Sequence, residues 1–169
     1  MNQYKICMLG AFHSGKTSLV DRYVNGWFNE NIKATLGVRI DKKEVQTQTG
    51  SIELVIWDMV GANKYQQVQT TYLRNASAYI LVVDGTRVET ARAAIDVHKK
   101  AQKVSGSLPF ILIVNKSDLV DEWAHESPAW AGLSKNAIAT VRTSAKSGVG
   151  VDQAFELLAE RFQVDLLPA

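Results

Sequence analysis

The sequence predicts an α/β fold in which a mostly parallel six-stranded sheet carries one antiparallel edge hairpin and helices on both faces. Short apolar runs alternate along the chain with stretches of helical periodicity, a pattern typical of parallel sheets. Runs such as residues 110–114 contain no polar side chain, as expected of strands buried on both faces. Thr49-Gly50-Ser51 separates two neighbouring strand-like runs, and this turn predicts the hairpin.

Six strands are predicted from apolar or alternating runs, at residues 4–9, 38–48, 52–57, 78–83, 110–114 and 137–141. Three helices are predicted from helical patterns, at residues 16–25, 89–104 and 151–162. Their expected inward positions include Ala93, Val97, Ala101 and Val104 in the second helix and Ala154, Leu157, Leu158 and Phe162 in the third.

Two stretches have weaker patterns. A short or mobile helix is expected within residues 62–71, which are mostly polar. Two tryptophans favour a helix within residues 120–136, but Pro128 and Gly132 are expected to interrupt it.

The bulk composition describes one ordinary globular domain spanning residues 1–169. The chain is 46% hydrophobic and 21% charged, which excludes a disordered or fibrous protein. A net charge of +2 without a Lys/Arg cluster gives no reason to expect a nucleic-acid partner. Cys7 is the single cysteine, so an intrachain disulfide is excluded, and its apolar neighbours predict a buried structural thiol. With neither a membrane-spanning run nor a signal peptide, the expected location is cytoplasmic.

The strongest motif is G-x-x-x-x-G-K-[ST], which runs from Gly10 to Thr17 between the first strand and the first helix. Glycine at both ends lets backbone N–H groups converge on an anion, and the helix N-terminus adds its dipole. Lys16 is placed to reach the outer phosphates of a nucleotide, and Thr17 offers a hydroxyl to magnesium. An ordinary glycine-containing turn is the alternative. The predicted binding residues are Gly10, His13, Ser14, Gly15, Lys16, Thr17 and Ser18.

A phosphate loop alone is compatible with kinases, ATPases and GTPases, so polar residues at other strand ends must decide. Asp58 ends an apolar strand and is expected to orient magnesium, with a plain turn role as the alternative. Gly61 follows three residues later and offers a flexible backbone N–H to a γ-phosphate.

Asn115-Lys116-Ser117-Asp118 discriminates between nucleotide bases. The Asp118 carboxylate can accept hydrogen bonds from N1–H and N2–H of guanine, whereas adenine presents an acceptor at N1. An unpaired buried acceptor costs about 1–3 kcal/mol, so a site built this way rejects ATP. Lys116 is expected to lie over the base and Asn115 to tie loops together. Ser144, Ala145 and Lys146 are then expected to bring a backbone N–H to guanine O6.

In order and context these motifs resemble those of the Ras superfamily of small GTPases, and the Rab-like branch most closely. The resemblance extends from Tyr4 to about Phe162. It implies a G-domain fold, binding of GTP or GDP with Mg²⁺, and GTP hydrolysis to GDP and phosphate. It also implies two switch segments, near residues 28–40 and 59–74, that signal to other proteins.

The resemblance assigns further roles residue by residue. Thr35 matches the residue that coordinates magnesium and contacts the γ-phosphate, and Phe28 matches the aromatic that packs on guanine. The implied metal ligands are Thr17, Thr35 and Asp58, and the implied catalytic residues are Lys16, Thr35 and Gly61. The implied partner surface comprises Ile40, Trp57, Tyr65 and Tyr72, although plain packing is an equal alternative for Trp57 and Tyr72.

Two positions depart from the family pattern. Ala62 stands where the family has a Gln that positions the attacking water, and Phe12 places a bulky side chain where an activating protein's arginine would approach. An arginine finger contributes roughly 10³–10⁵ in rate and usually acts with the Gln, so losing both should leave weak hydrolysis. Because the loop binds mainly through its backbone, and Lys16 and Thr17 remain, we expect tight nucleotide binding. His13 is either an exposed loop residue or a group that orients water. His98 and His125 lack metal-ligand spacing and are expected at the surface.

Two classes of function remain open. The leading hypothesis is a GTP-switched regulator, and the alternative is a hydrolysis-deficient scaffold that keeps nucleotide as a structural ligand. An ATP-dependent kinase would need a second substrate site and a lid, and the sequence indicates neither. The Rab-like resemblance implies prenylated C-terminal cysteines, but residues 165–169 contain none. Either the sequence is part of a longer protein or the protein works without a lipid anchor, and no anchor is expected in this chain.

Overall fold

The computed structural model describes residues 1–33, 35–59, 61, 70–119, 121, 123 and 128–164. Within these ranges the strands are β1 Asn2–Gly10, β2 Val38–Thr47, β3 Gly50–Met59, β4 Ala78–Asp84, β5 Phe110–Asn115 and β6 Ala139–Arg142. The helices are α1 Lys16–Asn25, α2 Glu89–Ser105, α3 Pro128–Ser134 and α4 Val151–Val164, and a 3₁₀ helix spans Thr70–Leu73. In this described part of the chain, no helix has both the length and the apolar character needed to cross a membrane.

The strands form a single sheet in the order β2-β3-β1-β4-β5-β6. β2 pairs with β3 antiparallel, and every other neighbouring pair is parallel. This topology confirms the predicted fold class. Because β1, β3, β4 and β5 run in the same direction, their carboxyl ends meet at one edge of the sheet, where loops can gather polar side chains.

Apolar side chains cover both faces of the sheet. On one face α1 and α4 pack over the strands, and Tyr23 stacks on Phe155 with ring centroids 3.9 Å apart. On the other face α2 and α3 pack over a second cluster that includes Cys7. Burial raises the pKa of the Cys7 thiol to about 11, so the thiol is the inert structural group that the sequence predicted.

Two helix predictions were wrong in detail. Val104 was expected to face inward but is 55% exposed, because the last turn of α2 runs beside the 3₁₀ helix rather than over the sheet. Pro128 and Gly132 were expected to interrupt a helix, but Pro128 is the first residue of α3 and Gly132 lies within it. Proline is tolerated in the first turn, where its missing N–H would have no partner in any case.

His98 was expected at the surface but is half-buried on α2. Its Nδ1 lies 2.8 Å from the hydroxyl of Tyr79, which accepts a hydrogen bond from Gln102 Nε2 at 2.7 Å. The Tyr79 proton is therefore available to His98, and burial lowers the pKa of the imidazole. His125 lies outside the described residues.

Candidate functional site

A cleft of about 370 Å³ lies at the carboxyl edge of the sheet. The loop between β1 and α1, the loop before β2, and the turns after β3, β5 and β6 all line it. Of the residues predicted from sequence, those lining the cleft are His13, Gly15, Lys16, Thr17, Ser18, Phe28, Thr35, Gly61, Asn115, Lys116, Asp118, Ala145 and Lys146. The structure places Gly10 at the end of β1 and buries Ser14, Asp58 and Ser144 just behind the lining residues.

The loop after β1 depends on glycine at both ends. Gly10 and Gly15 have φ angles of 146° and 100°, values that favour glycine. A β carbon at Gly10 would collide with the carbonyl of Val82, and one at Gly15 would collide with the side-chain amide of Asn115. The loop therefore packs closely against β4 and β5, which fixes the direction in which α1 begins.

Lys16 is the first residue of α1, and its side chain is buried beside the cleft. Its ammonium donates a hydrogen bond to the carbonyl of Ala11 at 2.8 Å. Burial lowers the pKa of Lys16 to about 8, an effect that the nearby Asp58 carboxylate partly opposes. Gly61 lies against the same group, since a β carbon there would come within 2.6 Å of Lys16 Nζ. The direct hydrogen-bond partner of Lys16 is a neutral carbonyl, and a phosphate bound here would replace it with a negatively charged one.

Three side-chain oxygens converge next to Lys16. Thr17 Oγ1 lies 2.6 Å from both Asp58 Oδ2 and Thr35 Oγ1. Thr17 has one proton and gives it to Asp58, so Thr35 donates to Thr17. Burial raises the pKa of Asp58, and the Thr17 hydrogen bond and Lys16 oppose that shift.

The second carboxylate oxygen of Asp58, Oδ1, is buried without a hydrogen-bond partner among the described residues. An unsatisfied carboxylate oxygen beside two hydroxyls is an unusual cost in a folded protein. Magnesium prefers such hard oxygen ligands, directly or through water, so the residues present fit this ion.

The far end of the cleft is organised around Asn115, the last residue of β5. Its amide nitrogen donates to the Ser14 carbonyl at 3.2 Å, and its amide oxygen accepts from Thr143 Oγ1 at 3.0 Å and from Ala145 N at 3.3 Å. One side chain thus joins the phosphate loop to the loop after β6, as the sequence predicted.

Asp118 and Lys116 flank the same end. The Asp118 carboxylate is exposed to the cleft and is oriented by Ser144 Oγ, which donates to Oδ1 at 2.7 Å. Lys116 stretches along the wall to the carbonyl of His13, 3.2 Å from its ammonium. Phe28 is half-buried and also lines the cleft. This arrangement presents a carboxylate, a long cation and an aromatic ring to the same cleft.

Comparison with known proteins agrees with this geometry. The family model described as the Ras family matches residues 5–164. The chain belongs to the Ras family. Ras-related protein Rab-7b of Homo sapiens is 33% identical over 161 residues, which cover 93% of this chain and 81% of the relative. Rab-7b of Bos taurus is 32% identical over 161 residues, which cover 93% of this chain and 80% of the relative. The chain is therefore a Rab-like small GTPase, as its motifs indicated.

Residues that no motif identified also hold the site of this Ras-family chain. Arg22 on α1 donates to the carbonyls of Ala145 and Lys146, the first at 2.8 Å, and so braces the loop after β6. Glu30 forms an ion pair of 2.8 Å with Lys146. Nothing in the sequence around Arg22, which lies on α1, indicated this bracing role. Asp84, which pairs with Lys116, is the last residue of the fully buried strand β4, and a polar residue at the end of an apolar run is visible in the sequence.

The residues of the predicted partner surface differ in exposure. Ile40 is 50% exposed, whereas Trp57 and Tyr72 are half-buried with ring centroids 5.9 Å apart. Lys5 Nζ lies 3.8 Å from the centroid of the Trp57 ring. Both packing and partial exposure are thus present at these aromatics. Tyr65 lies outside the described residues.

Of the two positions that depart from the family pattern, Phe12 and Ala62, the structure describes Phe12. Phe12 lines the cleft, and its ring lies 4.0 Å from that of His13, which is exposed on the loop. Both aromatic side chains therefore sit at the phosphate end of the cleft. Ala62 lies outside the described residues.

Proposed function

We propose that this chain is a guanine-nucleotide switch that binds GTP or GDP with Mg²⁺ and hydrolyses GTP slowly. The observation that carries the proposal is the meeting of three groups in one cleft: the phosphate loop, the Thr17–Thr35–Asp58 oxygen cluster and the Asn115–Asp118 turn. Membership of the Ras family supports the general activity, since small GTPases of this family bind and hydrolyse GTP.

The phosphate end would work through charge and hydrogen bonds held in advance. Lys16 would leave the Ala11 carbonyl and neutralise the outer phosphates, and the loop N–H groups would bind their oxygens. Thr17 and Thr35 would hold magnesium with Asp58 behind them. A bound magnesium ion would neutralise charge on the β- and γ-phosphates. Gly61 would donate its backbone N–H to the γ-phosphate, so Thr35 and Gly61 would report its presence to the two switch segments.

The base end would select guanine. Asp118, already oriented by Ser144, would accept two hydrogen bonds from the guanine edge, and the N–H of the loop after β6 would meet O6. Adenine would leave Asp118 unpaired at a cost of about 1–3 kcal/mol, or roughly fivefold to 150-fold in affinity.

The selectivity of the base end can be measured by competition. Fluorescent GDP bound to the chain should be displaced by GTP but not by comparable ATP. Asp118→Ala should weaken GDP binding by at least about tenfold, because the guanine N–H donors lose their acceptor. Asp121→Ala, which removes an exposed carboxylate three residues further on, is the matched control and should bind as the wild-type chain does. Equal displacement by ATP and GTP would refute the guanine assignment.

Slow hydrolysis is supported by the residues at two positions in the sequence. Alanine at position 62 has no side-chain group to orient water, and the half-buried Phe12 lines the cleft beside the predicted γ-phosphate position. Nucleotide binding would be unaffected, because the loop binds mainly through its backbone.

A scaffold that retains nucleotide without switching is the second candidate, and the same two positions favour it. Hydrogen exchange of residues 28–40 and 59–74 separates the two functions. A switch should show stronger protection with a non-hydrolysable GTP analogue than with GDP, since Thr35 and Gly61 gain contacts only when the γ-phosphate is present. Equal protection in the two states would indicate the scaffold.

A further inference from the structure

Asp84 is a fully buried carboxylate at the carboxyl end of β4, next to the cleft but outside its lining. In the parallel β4–β5 pair it lies directly opposite Asn115, so it stands beside the residue that precedes Lys116. Its Oδ2 forms an ion pair of 2.7 Å with Lys116 Nζ. No nucleotide contact assigned above requires this carboxylate.

The Asp84 side chain is held in one orientation by its own turn. Oδ1 accepts hydrogen bonds from the backbone N–H of Thr86 at 2.9 Å and from the Thr86 hydroxyl at 2.6 Å. These two bonds occupy Oδ1, whereas Oδ2 has no hydrogen-bond partner among the described residues and has the lysine ammonium beside it as an ion-pair partner. Trp123 covers the neighbouring Gly85, where a β carbon would lie 2.5 Å from its ring, and so shields the turn from water. The negative charge is therefore fixed before any ligand arrives.

Lys116 is constrained at both ends. Its backbone has φ of 71°, an unfavourable conformation for a residue with a β carbon. Its ammonium lies between the Asp84 carboxylate and the His13 carbonyl of the phosphate loop, at 2.7 Å and 3.2 Å. The aliphatic part of the side chain must then run along the wall of the cleft, where a base would lie. A lysine free in solvent would lose rotamer freedom on adopting this path.

We infer that Asp84 is a positioning residue for nucleotide binding: it holds Lys116 along the cleft wall, so that the lysine meets the base already ordered. This inference rests on the proposed binding of guanine nucleotide. Asp84→Asn keeps the acceptor for Thr86 but turns an amide, without charge, toward the ammonium. Lys116 should then leave the wall for water, and bound nucleotide should dissociate faster.

The test is the dissociation rate of fluorescent GDP, measured by chase with excess unlabelled GDP. Asp84→Asn should raise the rate by at least about tenfold, as expected when one partner of a buried charge pair is removed. Glu53→Gln makes the same chemical change in the Lys42–Glu53 ion pair on the β2–β3 hairpin and should leave the rate unchanged. In a Lys116→Ala background, Asp84→Asn should change the rate by less than about twofold, because the group through which it acts is gone.

A purely structural role for Asp84 gives a different result. In that case Asp84→Asn would lower thermal stability and raise the dissociation rate by the same factor whether or not Lys116 is present, and this outcome would overturn the inference. An unchanged rate in the wild-type background would overturn it as well. Should Asp84→Asn fail to fold, Thr86→Val removes one of the two bonds that orient the carboxylate and must raise the rate for the inference to stand. A wild-type chain that binds no labelled GDP would instead refute the proposed function itself.

Discussion

Lys16 places a positive charge in the protein interior, where it has a carbonyl as its hydrogen-bond partner. Its pKa of about 8 lies below the ordinary value of 10.5 because burial disfavours the charged form. The folded chain without nucleotide therefore releases this proton at lower pH than the unfolded chain does. Burying the charged lysine costs stability below pH 8, and that cost falls as the pH rises above it.

The lowered pKa of Lys16 gives a prediction for the nucleotide-free chain. Its free energy of unfolding should rise by about 1 kcal/mol between pH 8 and pH 9, since the unfolded state binds more protons across this range. Lys16→Met should abolish the rise, because no titrating group remains at that position. Urea unfolding at the two pH values measures the effect. A parallel rise in the Lys16→Met variant would show that another group is responsible.

Ala62 is one of the two positions to which the proposed account assigns slow hydrolysis. Ala62→Gln should raise single-turnover GTP hydrolysis by roughly tenfold, a barrier lower by about 1.4 kcal/mol, because a glutamine amide can orient the attacking water. Ala131→Gln, on the exposed face of α3, makes the same change away from the cleft and should have no effect. If Ala62→Gln hydrolyses GTP no faster than the wild-type chain, water positioning is not the missing step.

At the scale of elements, an ion-pair cluster joins α1 to β2. Arg39 donates to Asp21 through Nη2 and to Asp41 through Nε, each at 2.7 Å. The Asp21 side chain is 4% exposed, so removing Arg39 would leave a buried carboxylate without its ion-pair partner. Arg39 also lies opposite Asp58 in the β2–β3 register, four residues after Thr35. The Arg39–Asp21–Asp41 ion pairs therefore fix the start of β2 beside the Thr17–Thr35–Asp58 oxygen cluster. They also mark the point at which the loop that carries Thr35 ends.

Removing the Arg39 cation tests how far the stability of the chain depends on these ion pairs. Arg39→Met should lower the free energy of unfolding by about 1–2 kcal/mol, less than for a fully buried pair because Arg39 is 37% exposed. Lys42→Met breaks the more exposed Lys42–Glu53 pair on the same strand and should change stability by no more than about 0.5 kcal/mol. Denaturant titration of the GDP-bound variants makes the comparison. Equal losses in the two variants would contradict the role assigned to the cluster.

The elements themselves were largely predictable from local patterns. The bounds of α1 coincide with the prediction because the phosphate loop fixes its start and Gly26, in a left-handed conformation, ends it. The strand core was predictable because β4 and β5 are buried at every position. The start of α3 at Pro128 was not predictable. Proline interrupts a helix everywhere except in its first turn, and the sequence alone does not show which residue is first.

The candidate site was predictable only where a motif carries its own spacing. The phosphate loop and the Asn115–Asp118 turn are local in sequence, and the cleft brings both together. The supporting contacts join distant residues: Arg22 bonds carbonyls more than 120 positions away, and Lys116 meets Asp84 across two strands. Such contacts depend on which strands are neighbours, and a single sequence does not specify that order.

At the scale of the whole molecule, the parallel sheet explains why the phosphate, metal and base residues share a cleft. The strand order places β1 between β3 and β4, so the phosphate loop lies between Asp58 on one side and the turn after β5 on the other. Metal-binding oxygens and base-binding groups thus flank the same loop. A single nucleotide would join the segments that the sheet holds apart, and its presence should stabilise the whole chain.

The most direct measurement is the mass of the nucleotide that co-purifies with the chain. Gentle purification with magnesium, followed by denaturation and mass spectrometry of the released small molecules, identifies both the base and the number of phosphates. The account predicts a guanine nucleotide with GTP retained beside GDP, since binding is intact and hydrolysis is slow. An adenine nucleotide would contradict the base assignment, and GDP without any GTP after rapid preparation would contradict slow hydrolysis.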